Sequence, residues 1–169
     1  MEERKAVGAR QRAQPDDENI RILKELWSRM SPDLQRAFSV AYNENRRAGD
    51  GGVQTSDLFA ALLRIRPAQL QPIIEEIPQE ALPTPTMGTV VEEPYIIQER
   101  PWFSHCVASS IRRLSKQLPM DRMLNAVDIF ADIAKNGSGE SVHLLREHNV
   151  GPAEIDRILK EKNIQVVGV

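Results

Sequence analysis

The chain has 169 residues, 41% of them hydrophobic and 27% charged, with a formal net charge of −2 and a single cysteine. That length buries one sizeable core, as one domain or two small ones, and the near-balanced charge argues against a whole-protein field that would gather nucleic acid. Cys106 has no intramolecular partner and no apolar run approaches the roughly 18 residues of a membrane span, so a soluble protein of a reducing, cytoplasmic setting is expected, with no membrane contact.

Residues 1–16 mix charges and carry little apolar content, and they are expected to be disordered, with no apolar segment of the kind a signal peptide needs. From there Ile20, Leu23, Leu26, Trp27 and Met30 recur at helical spacing behind Asp17 and Glu18, acids that suit the positive end of a helix dipole. This predicts an amphipathic lead helix. Ser31-Pro32 offers a hydroxyl cap and then a residue with no amide hydrogen to waste, and Leu34, Ala37, Phe38 and Ala41 continue an apolar face to about Arg47. The glycine-rich run 48–52 is a turn and not a phosphate loop, because no Gly-Lys-[Ser/Thr] follows it. Thr55 or Ser56 is suited to cap a helix with Leu58, Phe59, Leu62 and Leu63 inward, and a further helix is predicted over 67–76 on Leu70, Ile73 and Ile74.

Between 78 and 101 the composition changes. Pro78, Pro83, Pro85, Pro94 and Pro101 remove amide donors and push their predecessors to extended geometry, which makes this segment a linker. Within it Val90-Val91 and Tyr95-Ile96-Ile97 are apolar enough to lie along a helix or to pair as a short strand. Helices are predicted over 104–118, 125–135 and 139–148, separated by Pro119 and by Asn136-Gly137-Ser138-Gly139. A last one begins at Pro152 with Ile155, Ile158 and Leu159 on one face and Lys160 and Lys162 near its end. The organisation read from these signals is a lead helix and first helical repeat over 17–77, a linker over 78–101, a second repeat over 102–162 and a tail over 163–169.

The stretch 31–38 followed by 53–63 recurs, degenerately, as 104–111 followed by 124–134, and Asp57-Leu58-Phe59-Ala60 matches Asp128-Ile129-Phe130-Ala131. In this arrangement, over roughly 30–159, the chain resembles the amino-terminal double-repeat (Clp R) domain of Clp-type AAA+ unfoldases. Met30-Ser31 and Phe103-Ser104 stand where that family has Phe-Thr. The string from Val53 to Phe59 stands where it has a Gly-Thr-Glu-His-Leu-Leu type of run, and the stretch 141–150 is similar to its Ala-x-x-[Leu/Ile]-Leu-x-x-[Leu/His]-Gly-Val segment. The resemblance implies an all-α, pseudo-twofold duplicated four-helix repeat, here with an extra N-terminal helix, that binds peptides, unfolded protein substrates or adaptor proteins for an ATPase ring. No Gly-x-x-x-x-Gly-Lys-[Ser/Thr] occurs here, so the ring belongs to a longer chain or acts in trans. The glutamates with which some members read phosphorylated arginine are matched by Ser56 and Val127, which carry no carboxylate. Asp57 and Asp128 lie one position later, about 100° round a helix.

Candidate chemistry is sparse. His105 and Cys106 are helix neighbours that point about 100° apart, and His143 and His148 are separated by about 140°, so neither pair reads as a catalytic or metal-binding set. Glu75-Glu76, Glu92-Glu93 and Asp132 have no identifiable catalytic partner. No enzyme, cofactor or metal is expected. The candidate partner-binding residues are the hydroxyl-bearing helix starts Ser31, Thr55 and Ser104 and the two tryptophans, Trp27 and Trp102, since aromatic anchors concentrate at binding hot spots. The expected function is therefore a non-catalytic recognition module of a Clp-like quality-control system. The alternative is a standalone regulatory or structural protein that self-associates or sequesters unfoldase ligands. A helical nucleic-acid binder using Arg46, Arg47, Arg112 and Arg113 is disfavoured by the net charge.

Overall fold

The computed structural model describes residues 17–47, 52–84 and 102–168. Among these the chain is all-α, with eight helices: Asp17–Trp27 (α1), Pro32–Arg47 (α2), Thr55–Ile65 (α3), Gln71–Ile74 (α4), His105–Gln117 (α5), Ala126–Asn136 (α6), Glu140–Glu147 (α7) and Pro152–Glu161 (α8). Two-residue extended segments, Gly52–Val53 (β1) and Trp102–Phe103 (β2), and a 3-10 turn at Gln79–Ala81 complete the described elements. The expectations for 1–16, for positions 48–51 of the glycine-rich turn and for Val90-Val91 and Tyr95-Ile96-Ile97 lie outside the described residues.

The helices start and stop where side-chain chemistry directs. Ser31 Oγ accepts the Leu34 amide at 3.3 Å, and Ser104 Oγ accepts the Val107 amide at 3.3 Å, so two orphan N–H groups are satisfied by hydroxyls placed before the first turn. At α3 the cap is Gln54, not Thr55 or Ser56. Val53 and Gln54 are extended, and the Asp57 carboxylate reaches back to the Gln54 amide at 2.8 Å, so the helix opens one residue earlier than the hydroxyls suggest. α3 stops at Arg66, which takes a left-handed conformation (φ 54°) while its amide closes onto Leu62.

The helix expected over 67–76 shrinks to the single turn of α4. Pro72 lacks an amide and is accepted only in a first turn, so a helix cannot run through it from Pro67, and Pro78 bars continuation. The segment expected as a tail also differs. Asn163 takes φ 52°, the Ile164 amide closes onto the Leu159 carbonyl at 2.9 Å, and the chain turns back so that Val166 and Val167 are buried.

The core is one continuous cluster drawn from all eight helices: Leu23, Phe38, Phe59, Ile73, Leu114, Phe130, Leu145 and Ile158 are among its buried members. α1 packs on α5, α2 on α3, α5 on α6, α8 on α6 and α7 on α3. Two parallel backbone bridges hold the helix entrances together. Met30, before α2, pairs with Leu124, before α6; Val53, before α3, pairs with Phe103, before α5. The first is closed by the Ser31 amide to the Leu124 carbonyl and the Leu124 amide to the Arg29 carbonyl, each at 2.8 Å. Phe59 of α3 and Phe130 of α6 meet behind these bridges with centroids 4.7 Å apart, and Phe38 meets Phe103 edge-on at 6.0 Å.

Candidate functional site

A densely bonded polar group lies at the entrance of α6. Asn125 Oδ1 accepts the amides of Val127 (3.0 Å) and Asp128 (3.1 Å), while Asp128 Oδ2 accepts the Asn125 amide at 2.9 Å, a reciprocal cap. The other Asp128 oxygen accepts Arg122 Nη2 at 2.9 Å and the Val167 amide at 2.8 Å. Asp128 is only 1% exposed. A buried carboxylate persists when its lone pairs are filled by good donors, and here three reach it from the α5–α6 loop, the cap and the C-terminal segment. The same Arg122 nitrogen also donates to the Gln165 carbonyl at 3.0 Å.

The loop 118–125 that carries Arg122 is tied to the lead helix. The Arg29 guanidinium donates to the Pro119 carbonyl and, at 3.4 Å, to the Arg122 carbonyl. Met120 and Met123 stand exposed on the same loop.

The residues singled out from sequence are distributed as follows. Ser31 and Ser104 are half-buried caps, as described above. Thr55 is buried, and its hydroxyl donates to the Ser138 carbonyl at 3.4 Å, which ties the start of α3 to the α6–α7 turn. Trp27 packs half-buried against the core, and its carbonyl accepts Gln35 Nε2 at 2.6 Å. Trp102 contributes backbone to the bridge opposite Gly52, and its side chain lies outside the described residues. Three of the five, Ser31, Thr55 and Ser104, thus mark the entrances of α2, α3 and α5, and Trp102 adjoins the last.

Cys106 is buried, and its sulfur accepts the Ser138 amide at 3.3 Å, whereas His105 beside it is exposed. His143 pairs with Glu147 at 3.1 Å along α7, and Glu76 pairs with Lys162 at 2.9 Å. Arg113 engages Asp132 through two bonds, at 3.2 and 2.8 Å, and this carboxylate holds the guanidinium above the usual arginine range, against the opposing effect of burial. Among the described residues no set of three His, Cys, Asp or Glu side chains is placed to hold a metal ion, and no helix is long and apolar enough to cross a membrane. The side chains of Arg46 and Arg47, like Glu92-Glu93, lie outside the described residues.

Neither Arg122 nor the Val166-Val167 pair belongs to a cap, a helical period or a motif in the sequence. The usable signal for the second is Asn163, a residue that tolerates left-handed geometry, followed at once by Ile164, Val166 and Val167. No family model matches the chain, no curated protein is detectably similar to it, and no solved structure matches it.

Proposed function

We propose that the chain is a non-catalytic protein- or peptide-recognition module with a duplicated, pseudo-twofold arrangement like that of the amino-terminal domain of Clp-type unfoldases, serving a quality-control system by binding substrates or adaptors. The observation that carries this reading is the crosswise joining of the helix entrances: that of α2 with α6 and that of α3 with α5. If the first unit is α2–α3 and the second α5–α6, each bridge links the first helix of one unit to the second helix of the other, as an approximate twofold axis requires. Phe59 and Phe130, which occupy the same place in the matching strings Asp-[Leu/Ile]-Phe-Ala, then face each other across that axis. α3 and α6 support it further, with 11 residues each and an acid in the third helical position that closes onto the preceding cap amide.

Phosphoarginine recognition is not part of the proposal. Asp57 and Asp128 both bond their own cap amides, and Asp128 is buried under further donors, so neither is presented as an open carboxylate. Self-association through the lead helix draws no support either, because Leu23 and Leu26 of α1 are already buried within the chain.

The test is fluorescence anisotropy of a labelled, permanently unfolded protein titrated with the purified chain. Saturable binding that a folded control does not share is expected. Absence of binding to unfolded protein, with size-exclusion light scattering giving a concentration-dependent oligomer, would replace this reading by the structural alternative.

A further inference from the structure

The C-terminal segment is held against the rest of the molecule by backbone hydrogen bonds and two buried side chains. After the left-handed turn at Asn163, the chain touches the entrance of α6 at Asp128 and the end of α5 at Gln117. The Gln165 carbonyl accepts Arg122 Nη2 at 3.0 Å; two residues on, the Val167 amide donates to Asp128 Oδ1 at 2.8 Å. Between and beyond those bonds Val166 and Val167 are buried. Gly168 then takes φ 87° against the Gln117 carboxamide, in a place where a Cβ would meet Gln117 Oε1 at 2.3 Å.

Two of these contacts read backbone groups that any peptide carries, and the others read side chains. One carbonyl and one amide at a two-residue spacing fix register, two consecutive β-branched side chains supply apolar area, and a glycine satisfies the turn that follows. Asp128 keeps Arg122 and the Asn125 amide when the segment leaves, so the vacated site is a paired carboxylate with acceptor capacity open toward an incoming N–H. The large hydrophobic side chains exposed among the described residues, Met120 and Met123, both flank Arg122. Flexible thioethers at the edge of such a site suit ligands of varied outline.

We infer that Arg122, Asp128 and the end of α5 form a peptide-binding site that residues 165–168 occupy in cis, and that in trans the site takes an extended segment with two consecutive β-branched apolar residues followed by glycine. The inference deepens the recognition reading and rests on it only in taking the ligand from another chain. A tethered segment competes at an effective concentration of about millimolar, so the intact chain presents the site only in the fraction of molecules whose segment is released.

The experiment uses a fluorescent peptide with the sequence of residues 163–169, read by anisotropy against the intact chain and a chain ending at Ile164. The shortened chain is expected to bind it at least ~10-fold more tightly than the intact one, because the competing occupant is gone. Arg122→Ala in the shortened chain, or Val167→Asp in the peptide, is expected to abolish binding. A shortened chain with unchanged helical circular dichroism that binds the peptide no better than the intact chain overturns the inference. If shortening costs helicity, added peptide must restore it, and failure to do so overturns the inference equally. Binding of unfolded protein without binding of this peptide leaves the recognition reading standing and removes the site; binding of the peptide alone keeps the site and removes the wider reading.

Discussion

The entrances of α3 and α6 begin from the same local chemistry and end in different surroundings. In each, an acid in the third helical position accepts the amide of the residue before the helix: Asp57 from Gln54 at 2.8 Å, Asp128 from Asn125 at 2.9 Å. Asp57 is half-buried, whereas Asp128 is buried beneath Arg122 and the Val166-Val167 segment. The local motif sets the start of a helix; what covers the motif decides whether its carboxylate also becomes a structural node. The first is written in four consecutive residues, the second needs partners 6 and 39 positions away.

The most severe way to break the likeness between the two regions is to remove what they share at their centre. Phe59 and Phe130 are both buried and stacked on each other, so Phe130→Ala and Phe59→Ala should each lower unfolding free energy by about 3–5 kcal/mol. The double variant should cost less than the sum, since the second deletion opens onto the cavity of the first. Urea denaturation of the four proteins measures both quantities. Additive costs would mean that the rings do not share one packing unit.

The difference between the entrances predicts unequal costs for the same substitution. Asp128→Ala leaves the Arg122 guanidinium and the Val167 amide without their acceptor and should cost about 2–3 kcal/mol, a figure kept low because Arg122 retains solvent access. Asp57→Ala removes the reciprocal cap and should cost about 1 kcal/mol. Equal costs in denaturant unfolding would show that the covering segment adds nothing to Asp128.

These contrasts also mark how far the sequence reaches. α1, α2, α5 and α8 are legible because one side of each repeats at helical spacing and because Ser31, Ser104 and Pro152 punctuate their starts. The 163–168 segment is not legible by those rules, since two valines have no period and gain meaning only when Asn163 turns them toward α6. α4 is overread for the opposite reason: Leu70, Ile73 and Ile74 are spaced as in a helix, yet Pro67, Pro72 and Pro78 leave room for one turn. Of the candidate site residues, Ser31 and Ser104 are found at the entrances because capping is local, whereas Thr55 lies one place inside α3 and its hydroxyl bonds the distant Ser138 carbonyl. Arg122 escapes notice because its partners, Asp128 and Gln165, are assembled by the fold.

The exits of the same two helices should respond with opposite signs. α3 leaves through Arg66 at φ 54°, a conformation in which a Cβ is strained, so Arg66→Gly is expected to stabilise by up to about 1 kcal/mol. α6 leaves through Gly137 in extended geometry that any residue adopts, but a Cβ there would lie 2.4 Å from the Ile133 carbonyl oxygen and 2.8 Å from the Cys106 sulfur. Gly137→Ala should therefore destabilise by about 1–3 kcal/mol, through displacement of α5 against α6. Thermal unfolding of the two variants beside the parent decides both signs.

The smallest effect is expected on the outer face of α8, and it sharpens the contrast between a buried and an exposed carboxylate. Glu154 bonds Arg157, which also bonds Glu161 at 2.6 Å, and the Arg157 guanidinium holds the Glu154 carboxyl below its ordinary value of 4.5. A depressed folded-state value means that Glu154 stabilises the fold above pH 4.5 and that this contribution disappears as the pH falls through the folded value. Because the pair lies at the surface, salt should weaken it, and Glu154→Gln should leave only a slightly shallower loss of stability in that acid range. Thermal melts of both proteins on either side of pH 4.5, at low and high salt, read this directly. A steep acid transition that survives Glu154→Gln unchanged would place the proton-sensitive step outside this pair.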